Sequence, residues 1–338
     1  MGDVSETAPR ARATTGADAG SHVGRAYLRS RDKRWCSHCA VRNILFAGLI
    51  TLLSPFGGAA AAQDANPAGS SQPGESVADY ISHWADRVAE AQASQPHWIT
   101  PIATVTPRLE QEFRYDQNWQ HLGNGADLTN FDSGKGLELI PTTGNEVIFN
   151  LPPYLERTKT KPASGFGDWP VLLVKQRFIS ANETAGDYIV SGFLGVQAPT
   201  GAEAFTNHAW LITPTLAAGK GWGNLDIQGT IGVPIPLSNE STIGIPIVTN
   251  LALQYHFGKF FWPEIEANST YWADGLRRGK TQIFITPGLV LGRFPLVGRT
   301  KAIIGLGYQF AVSPRLTTSP VLTPTYQHSW ILTARTAF

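Results

Sequence analysis

The last residues of the chain, TPTYQHSWILTARTAF at 323–338, constrain the fold more than any other stretch. Every second residue from Tyr326 to Phe338 is mostly apolar or aromatic, and the residues between them are mostly polar. Because successive side chains of a β-strand point to opposite faces, this pattern predicts a long two-faced strand. Its length suits the roughly 9–11 residues with which a tilted strand crosses a bilayer. A closing strand of an outer-membrane barrel is the first interpretation, and a half-buried strand of a soluble β-sandwich is the alternative.

Charge composition supports the membrane interpretation. Charged residues make up only 16% of the chain, against roughly 25% in a typical soluble protein. Depleted charge without long apolar runs is expected when lipid-facing residues alternate with residues of a polar interior. The 27 basic and 26 acidic residues nearly balance, so we expect no nucleic-acid partner.

Residues 1–62 have the pattern of a removable export signal. Six basic residues from Arg25 to Arg42 precede the apolar stretch ILFAGLITLLS, and four alanines end at Ala62. This order predicts a secretory signal peptide that is cut after Ala62. The apolar part is shorter than the roughly 20 residues of a transmembrane helix. Cys36 and Cys39 both lie in this segment, so the mature chain contains no cysteine.

A linker and a short amphipathic helix are predicted over 63–97. Residues 63–74 are rich in Pro, Gly and Ser, as flexible linkers are. Ser76 followed by Asp79 resembles a capping box and predicts a helix over about 76–94. The helix could cover the start of the barrel, lie against its periplasmic mouth or enter the lumen as a partial plug.

From residue 98 to 338 the chain is a series of strand-like segments separated by turn residues. The alternation of apolar and polar residues seen in the last strand repeats in LDIQGTIGVP (225–234) and IVTNLALQYHF (247–257). We therefore predict an all-β fold, a transmembrane antiparallel up-and-down β-barrel of about 12 strands with a short N-terminal helix. Ten or fourteen strands are the alternatives, and one strand of the twelve is concealed in 98–106 or in 117–136. Longer outer loops are expected at 199–208, 238–244, 273–280 and 313–322, and short inner turns at 219–224, 258–259 and 295–299.

Aromatic residues near the predicted strand ends indicate two interfacial girdles. A barrel with such girdles lies in the outer membrane of a Gram-negative bacterium, in contact with its lipid. The C-terminal strand is expected to be recognised by the barrel-assembly machinery through Tyr326, Trp330 and Phe338. The girdle residues predicted are Trp98, Trp119, Trp169, Trp210, Trp222, Trp262, Trp272, Tyr154 and Tyr271.

Charged residues that share one strand face predict a polar lumen. In RLEQEFR two bases and two acids recur at every second position. They cannot face lipid, where Arg or Lys at the midplane costs roughly 2–4 kcal/mol. The lumen-lining residues predicted on this basis are Arg108, Glu110, Glu112, Arg114, Asp226, Gln254, His256, Glu264 and Glu266.

Several phrases resemble a known family. They are KGLELIP (135–141), FNLPPYLER (149–157), GFGDWPVLLVKQRF (165–178) and GVQAPTG (195–201), together with TVTPRLEQEF (104–113). These phrases are similar to the MetA-pathway of phenol degradation family of outer-membrane proteins, over most of residues 100–338. The resemblance implies a barrel that moves small, often aromatic or hydrophobic, organic compounds. It supplies no catalytic residue.

No pattern in the chain predicts an enzyme, a cofactor or a metal. His328 and Ser329 are adjacent, so they point to opposite faces of a strand and cannot form a catalytic dyad. Glu264 and Glu266 could bind a cation, but a network with lumen bases is favoured. We expect a channel through which small organic solutes diffuse. The alternatives are a structural or adhesive barrel without transport, and an outer-membrane lipid hydrolase.

Overall fold

The computed structural model describes residues 76–133, 135–313 and 326–338. The predicted signal peptide and the linker at 63–74 lie outside the described residues. Among the helices that are described, none combines the length and the apolar character needed to cross a membrane.

Two short helices begin the described chain, α1 at Val77–Ser82 and α2 at Trp84–Ala93. The hydroxyl of Ser76 accepts a hydrogen bond from the backbone N–H of Asp79 at 3.1 Å, which caps α1. The single predicted helix is thus present as two pieces that meet at His83. Val88 and Ala91 of α2 are buried in an apolar cluster with Leu109 and Ile140.

The remaining structure is almost entirely β. The segments, with one further helical turn named α3, are β1 Glu112–Leu122, β2 Asp127–Phe131, β3 Gly136–Thr142, β4 Asn145–Asn150, β5 Tyr154–Thr158, β6 Ala163–Phe166, β7 Trp169–Ala181, β8 Tyr188–Ala198, β9 Leu211–Trp222, β10 Leu225–Gly232, β11 Ile235–Pro236, α3 Glu240–Ile243, β12 Pro246–Tyr255, β13 Phe261–Trp272, β14 Thr281–Pro295, β15 Lys301–Ser313 and β16 Tyr326–Ala337.

These segments close into a twelve-stranded antiparallel barrel. Neighbours along the chain pair in order, and β16 pairs with β1 over the register Glu112↔Ala337 to Leu122↔Tyr326. Four strands are interrupted, because β2 and β3, β4 and β5, β6 and β7, and β10 and β11 are successive pieces of one strand each. The predicted fold class and the strand number of twelve are confirmed. We call the end where β1 begins and β16 finishes the inner end.

The concealed strand lies in 117–136, where β2 pairs with β1. Residues 98–106 form no strand, and the first strand begins only at Glu112. Turns at the inner end are short, as at 143–144 and 223–224, whereas the outer connections include 199–210 and 273–280. The outer loop expected at 313–322 lies, after Ser313, outside the described residues.

Side chains alternate between a buried interior and an exposed exterior. On β12, Ala252 and Gln254 are fully buried, whereas Leu251, Leu253 and Tyr255 are each more than a third exposed. A barrel exterior of Leu, Ile and aromatic side chains requires an apolar environment.

Exposed aromatics mark both edges of this apolar band. On β13, Phe261 and Tyr271 are both exposed and stand ten residues apart. At about 3.3 Å per residue and a strand tilt near 40°, ten residues rise about 25 Å, the height of the apolar band of outer-membrane barrels. Trp119 and Trp330 pair in register on neighbouring strands and are both about half exposed.

Three predicted girdle residues and one predicted recognition residue instead lie inside. Trp98, Trp262 and Trp272 are at most 5% exposed. Tyr326 is also buried, because a register irregularity beside Leu122 separates it from the outward phase of Trp330. Period-two counting fails across such a bulge, since the extra residue reverses the faces that follow.

Candidate functional site: an occupied barrel interior

Residues 95–111, here called the inner segment, run inside the barrel. Gln95 closes the segment into a loop, since its amide nitrogen donates to the Leu109 carbonyl at 2.8 Å and its amide oxygen accepts from the Leu109 N–H at 2.9 Å. The loop therefore enters and leaves at the inner end, and the chain continues directly into β1.

Two carboxylates on β13 hold the top of this loop. Glu264 accepts a hydrogen bond from the backbone N–H of Ile102 at 3.0 Å. Glu266 accepts from the N–H groups of Ala103 and Thr104 at 2.7 and 2.6 Å, one with each oxygen. Buried backbone N–H groups need partners, and the wall supplies charged ones.

Arginines on the closing strands bind the carbonyls of the same loop. Arg335 donates to the carbonyls of Thr100 and Pro101 at 2.5 and 2.7 Å. Arg114 donates to the Ile102 carbonyl at 2.6 Å and also pairs with Asp116 at 2.8 Å. The irregular backbone of the loop is thus satisfied by side chains of the wall.

Glycines on the wall make room for the side chains of the loop. A β-carbon built on Gly219 or Gly221 would lie 2.5 or 2.7 Å from atoms of the Trp98 ring. One built on Gly288 would lie 2.6 Å from Cδ1 of Ile102, closer than real side chains approach. The wall is shaped for these two side chains.

The loop fills the inner half of the interior. Its deepest polar contact is with Asn268, whose amide nitrogen lies 3.4 Å from Oγ1 of Thr104. Asn268 is near the middle of β13, donates to the side-chain oxygen of Asn250 at 3.0 Å and accepts from the amide nitrogen of Gln309 at 2.8 Å. Beyond this level the described interior holds both polar side chains, such as Gln309, which donates to the hydroxyl of Thr286 at 2.8 Å, and the buried rings of Phe284 and Trp272.

The predicted lumen residues are all placed at or near the interior, but two of them lie on the loop. Arg108 and Glu110 belong to the inner segment and pair with each other at 2.8 Å. The sequence alternates through both the loop and β1, so its period could not show where the wall starts. His256 is in the turn after β12 and stacks on Trp262 with ring centroids 3.9 Å apart. The remaining residues are buried on wall strands: Glu112, Arg114, Asp226, Gln254, Glu264 and Glu266.

Sequence reasoning missed several interior charges. Lys175 on β7 pairs with Glu146 on β4 at 2.9 Å, and both side chains are almost wholly buried. Lys175 is the first charged residue after the apolar run VLLV. Its charge was the signal in the sequence that could have assigned it to the interior. Glu138 and Arg335 were also missed, although each lies on the polar face of its strand.

Hydrogen bonds hold helix α2 at the inner end of the barrel. Arg177 donates to the Ala91 carbonyl at 2.8 Å and Arg299 to the Ala85 carbonyl at 2.9 Å. The helix therefore lies at the inner mouth, and the segment after it is the part that enters the lumen.

An exposed pair fastens the same region to the turn after β7. His97 pairs with Glu183 at 2.8 Å through its ring, and its backbone N–H donates to the same carboxylate at 2.5 Å. Partial burial acts to raise the pKa of Glu183, but the hydrogen bonds from His97 outweigh it and the pKa lies below its usual range.

No protein-family model matches the chain, and no curated protein matches it. Among solved structures, the chain is similar to the COG4313 outer membrane channel from Pseudomonas putida F1, with 14% identity and a TM-score of 0.47 over 67% of this chain and 94% of that one. It is also similar to the NanC porin, with 9% identity and a TM-score of 0.41 over 67% of this chain and 98% of that one. The KdgM porin gives 10% identity and a TM-score of 0.38 over 67% and 99%.

Proposed function

We propose that the protein is a channel of the Gram-negative outer membrane that carries small organic solutes and is closed at its inner half by the inner segment. The observation that carries the proposal is the loop itself. Charged side chains of the wall form hydrogen bonds with the backbone of the loop, and the side chains of Trp98 and Ile102 pack against glycines of the wall. These hydrogen bonds and apolar contacts are noncovalent, so water and solute can replace them when the loop leaves.

The exterior supports the membrane location. A closed barrel leaves no unpaired strand edge, which the hydrocarbon interior of a bilayer requires. Its apolar band and aromatic borders match a single bilayer crossing. We place the inner end, with the mouth helices, in the periplasm. The phrases such as GFGDWPVLLVKQRF that resemble the MetA-pathway of phenol degradation family support hydrophobic or aromatic compounds as the solutes. Transport by diffusion needs no catalytic group, and we propose none.

The filled interior also favours a second candidate, a structural barrel without transport. Buried ion pairs such as Lys175–Glu146 link wall strands to each other and leave their charges compensated. A barrel that never opens would need no more than such pairs and the loop. The two candidates differ in whether ions pass when the loop is displaced.

Locking the loop to the wall tests the channel. Beyond residue 62 the chain has no cysteine, so the pair Ile102→Cys and Gly307→Cys introduces the only thiols of the mature chain. A β-carbon on Gly307 would lie 3.3 and 3.4 Å from Cδ1 and Cγ2 of Ile102, so cysteine side chains at the two positions would adjoin each other, as a disulfide requires. In planar bilayers we expect the oxidised pair to abolish conductance and reductant to restore it.

A variant that weakens the contacts between wall and loop, here called the release variant, tests the opposite change. Glu264→Ala with Glu266→Ala removes three hydrogen bonds to the loop and should raise the open probability. The two single-cysteine variants, under the same oxidant, control for effects on the wall. If the release variant exposes its loop to protease but still passes no current, the structural barrel is the correct interpretation.

A further inference from the structure

Two histidines lie side by side at the outer end of the barrel, the end opposite the mouth helices. His121 of β1 and His328 of β16 are direct partners in the register of these two strands. Their imidazole centroids are 5.1 Å apart, and the ring planes are inclined to each other by 32°. Because they come from the first and the last strand, only closure of the barrel brings them together.

The histidine pair lies on the exterior face of the wall. Trp119 and Trp330 form the neighbouring pair in the same register, and both are about half exposed. Since side chains two apart on a strand share a face, the histidines form the next row outward on the face of the two tryptophans. The side chain of His121 is 34% exposed, and His328 is half-buried. The pair is therefore accessible to an ion from outside the barrel.

A carboxylate fixes the ring of His121. Nδ1 of His121 donates to Oδ1 of Asp127, the residue opposite it on β2, at 2.8 Å. In a neutral ring this bond leaves the lone pair on Nε2. Metal-binding histidines have this arrangement, in which a carboxylate on the second nitrogen holds the ring and raises its basicity.

The other neighbours of the pair are a lysine and an aromatic ring. Lys159 lies 2.5 Å from the second oxygen of Asp127, so the carboxylate carries no unbalanced charge. The ring of Tyr308 lies beside that of His328, with centroids 5.8 Å apart. The row thus has one acid and one base besides the two imidazoles, and its charge by itself favours neither an anion nor a cation.

The type of ligand atom decides which ion fits. Mg²⁺ and Ca²⁺ take about six or more oxygen ligands, whereas this row offers one carboxylate that is already bonded to His121 and Lys159. Imidazole nitrogen suits Zn²⁺, Cu²⁺ and Ni²⁺. In the described part of the chain no three or more His, Cys, Asp or Glu side chains are grouped to hold a metal, so an ion here has two protein ligands and open positions for water.

We propose that His121 and His328 bind one transition-metal ion, of the class of Zn²⁺ and Cu²⁺, on the outside of the wall. Each imidazole supplies one nitrogen and keeps the other for its own contact, as Nδ1 of His121 does with Asp127. The ion joins the two strands whose pairing closes the barrel. It binds the folded barrel in preference to the unfolded chain and therefore stabilises it. The site does not depend on the proposed channel function.

Calorimetric titration of the whole barrel in detergent with zinc chloride tests the site. We expect one ion per barrel. His121→Gln and His328→Gln each remove a ligand and should weaken binding by about tenfold or more, at least as much as the loss of a residue that only supports a ligand. His208→Gln is the matched control, because His208 is an exposed histidine of an outer loop, 3.4 Å from Glu203. It should leave the affinity unchanged.

Thermal unfolding shows whether the ion joins the two strands. Zinc should raise the unfolding temperature of the unmodified barrel and of His208→Gln, and should leave that of His121→Gln and His328→Gln unchanged. The same scans without zinc show that both variants fold.

Copper locates the ion independently. Bound Cu²⁺ quenches nearby tryptophans, so replacing Trp119 and Trp330 together by Phe should remove most of the copper-dependent quenching. Trp210→Phe removes another exposed tryptophan and should leave the quenching in place. The proposal is overturned by the absence of saturable zinc binding, by equal affinity in both histidine variants and the unmodified protein, or by quenching that persists without Trp119 and Trp330.

Discussion

Gly288 on β14 faces Ile102 of the inner segment so closely that a β-carbon at position 288 would lie 2.6 Å from Cδ1 of Ile102. Gly305 and Gly307 on β15 approach the same side chain to 3.3 Å by the same measure. Three wall positions on neighbouring strands thus lack a side chain where one loop residue docks. Loop docking therefore depends on the size of residues that, by sequence alone, are unremarkable strand glycines.

Gly288→Val should displace the loop. The added methyl groups occupy the position of Ile102, and a packed interior cannot absorb them without moving it. We expect higher conductance and faster tryptic cleavage after Arg108, which is 3% exposed with the loop in place. Gly229→Val is the control, because Gly229 faces away from the loop and its nearest neighbours are Asn250 and Leu251. Unchanged protection of Arg108 in Gly288→Val would show that the glycine is not needed for docking.

Lys175→Met should destabilise the barrel strongly. Both members of the Lys175–Glu146 pair are almost wholly buried, and removing one partner of such a pair typically costs about 3–5 kcal/mol. Thermal unfolding in detergent, followed by the shift of the folded band on electrophoresis, measures the loss. Adding Glu146→Gln should recover much of it, because a neutral amide can still accept from the Glu110 N–H. No recovery in the double variant would mean that the loss came from packing.

Leu253→Arg should impair insertion, since Leu253 is exposed on the exterior of β12. Arg at a lipid-facing position near the midplane costs roughly 2–4 kcal/mol in such barrels. Folding into lipid vesicles, titrated with urea, gives the difference. Leu237→Arg is the matched control, because Leu237 is also exposed but lies beyond the strands, after β11. Equal effects of the two substitutions would argue against a bilayer around β12.

Acid should loosen the inner segment through Glu183. The pKa of Glu183 is lower in the folded protein than its ordinary value of 4.5. Its bond to His97 therefore contributes fully above about pH 4.5 and is lost as the pH falls through the lower folded value. Conductance at graded pH is the measurement. Channel opening should increase below pH 4.5 in the unmodified protein, and Glu183→Gln should flatten that increase.

The disulfide-locked barrel described above is the control for the acid experiment. Its loop cannot leave the wall, so its conductance should stay low at every pH. An acid-induced increase in the locked barrel, or an unchanged increase in Glu183→Gln, would place the pH-sensitive group elsewhere.

The fold could be predicted because its signal is local and repeated. Alternation in stretches such as IVTNLALQYHF reports the two environments of a barrel wall, and the observed burial of β12 follows it closely. Carboxylates such as Glu264 and Glu266 could also be assigned to the interior, since charge excludes them from the lipid face. The even strand number followed from placing both ends of the barrel on one side.

The occupied lumen could not be predicted in the same way. Residues 108–114 alternate without a break, although Arg108 and Glu110 belong to the loop and the wall begins at Glu112. The hydrogen bond from the backbone N–H of Ile102 to the carboxylate of Glu264 joins residues that are 162 positions apart in the chain. No local sequence pattern predicts such a contact. Sequence by itself determined that this chain forms a membrane barrel with a charged interior, because the polarity of each side chain decides whether it can face lipid or the polar interior. Only the tertiary structure decided that the chain fills its own lumen, because that depends on distant wall residues leaving the space for Trp98 and Ile102.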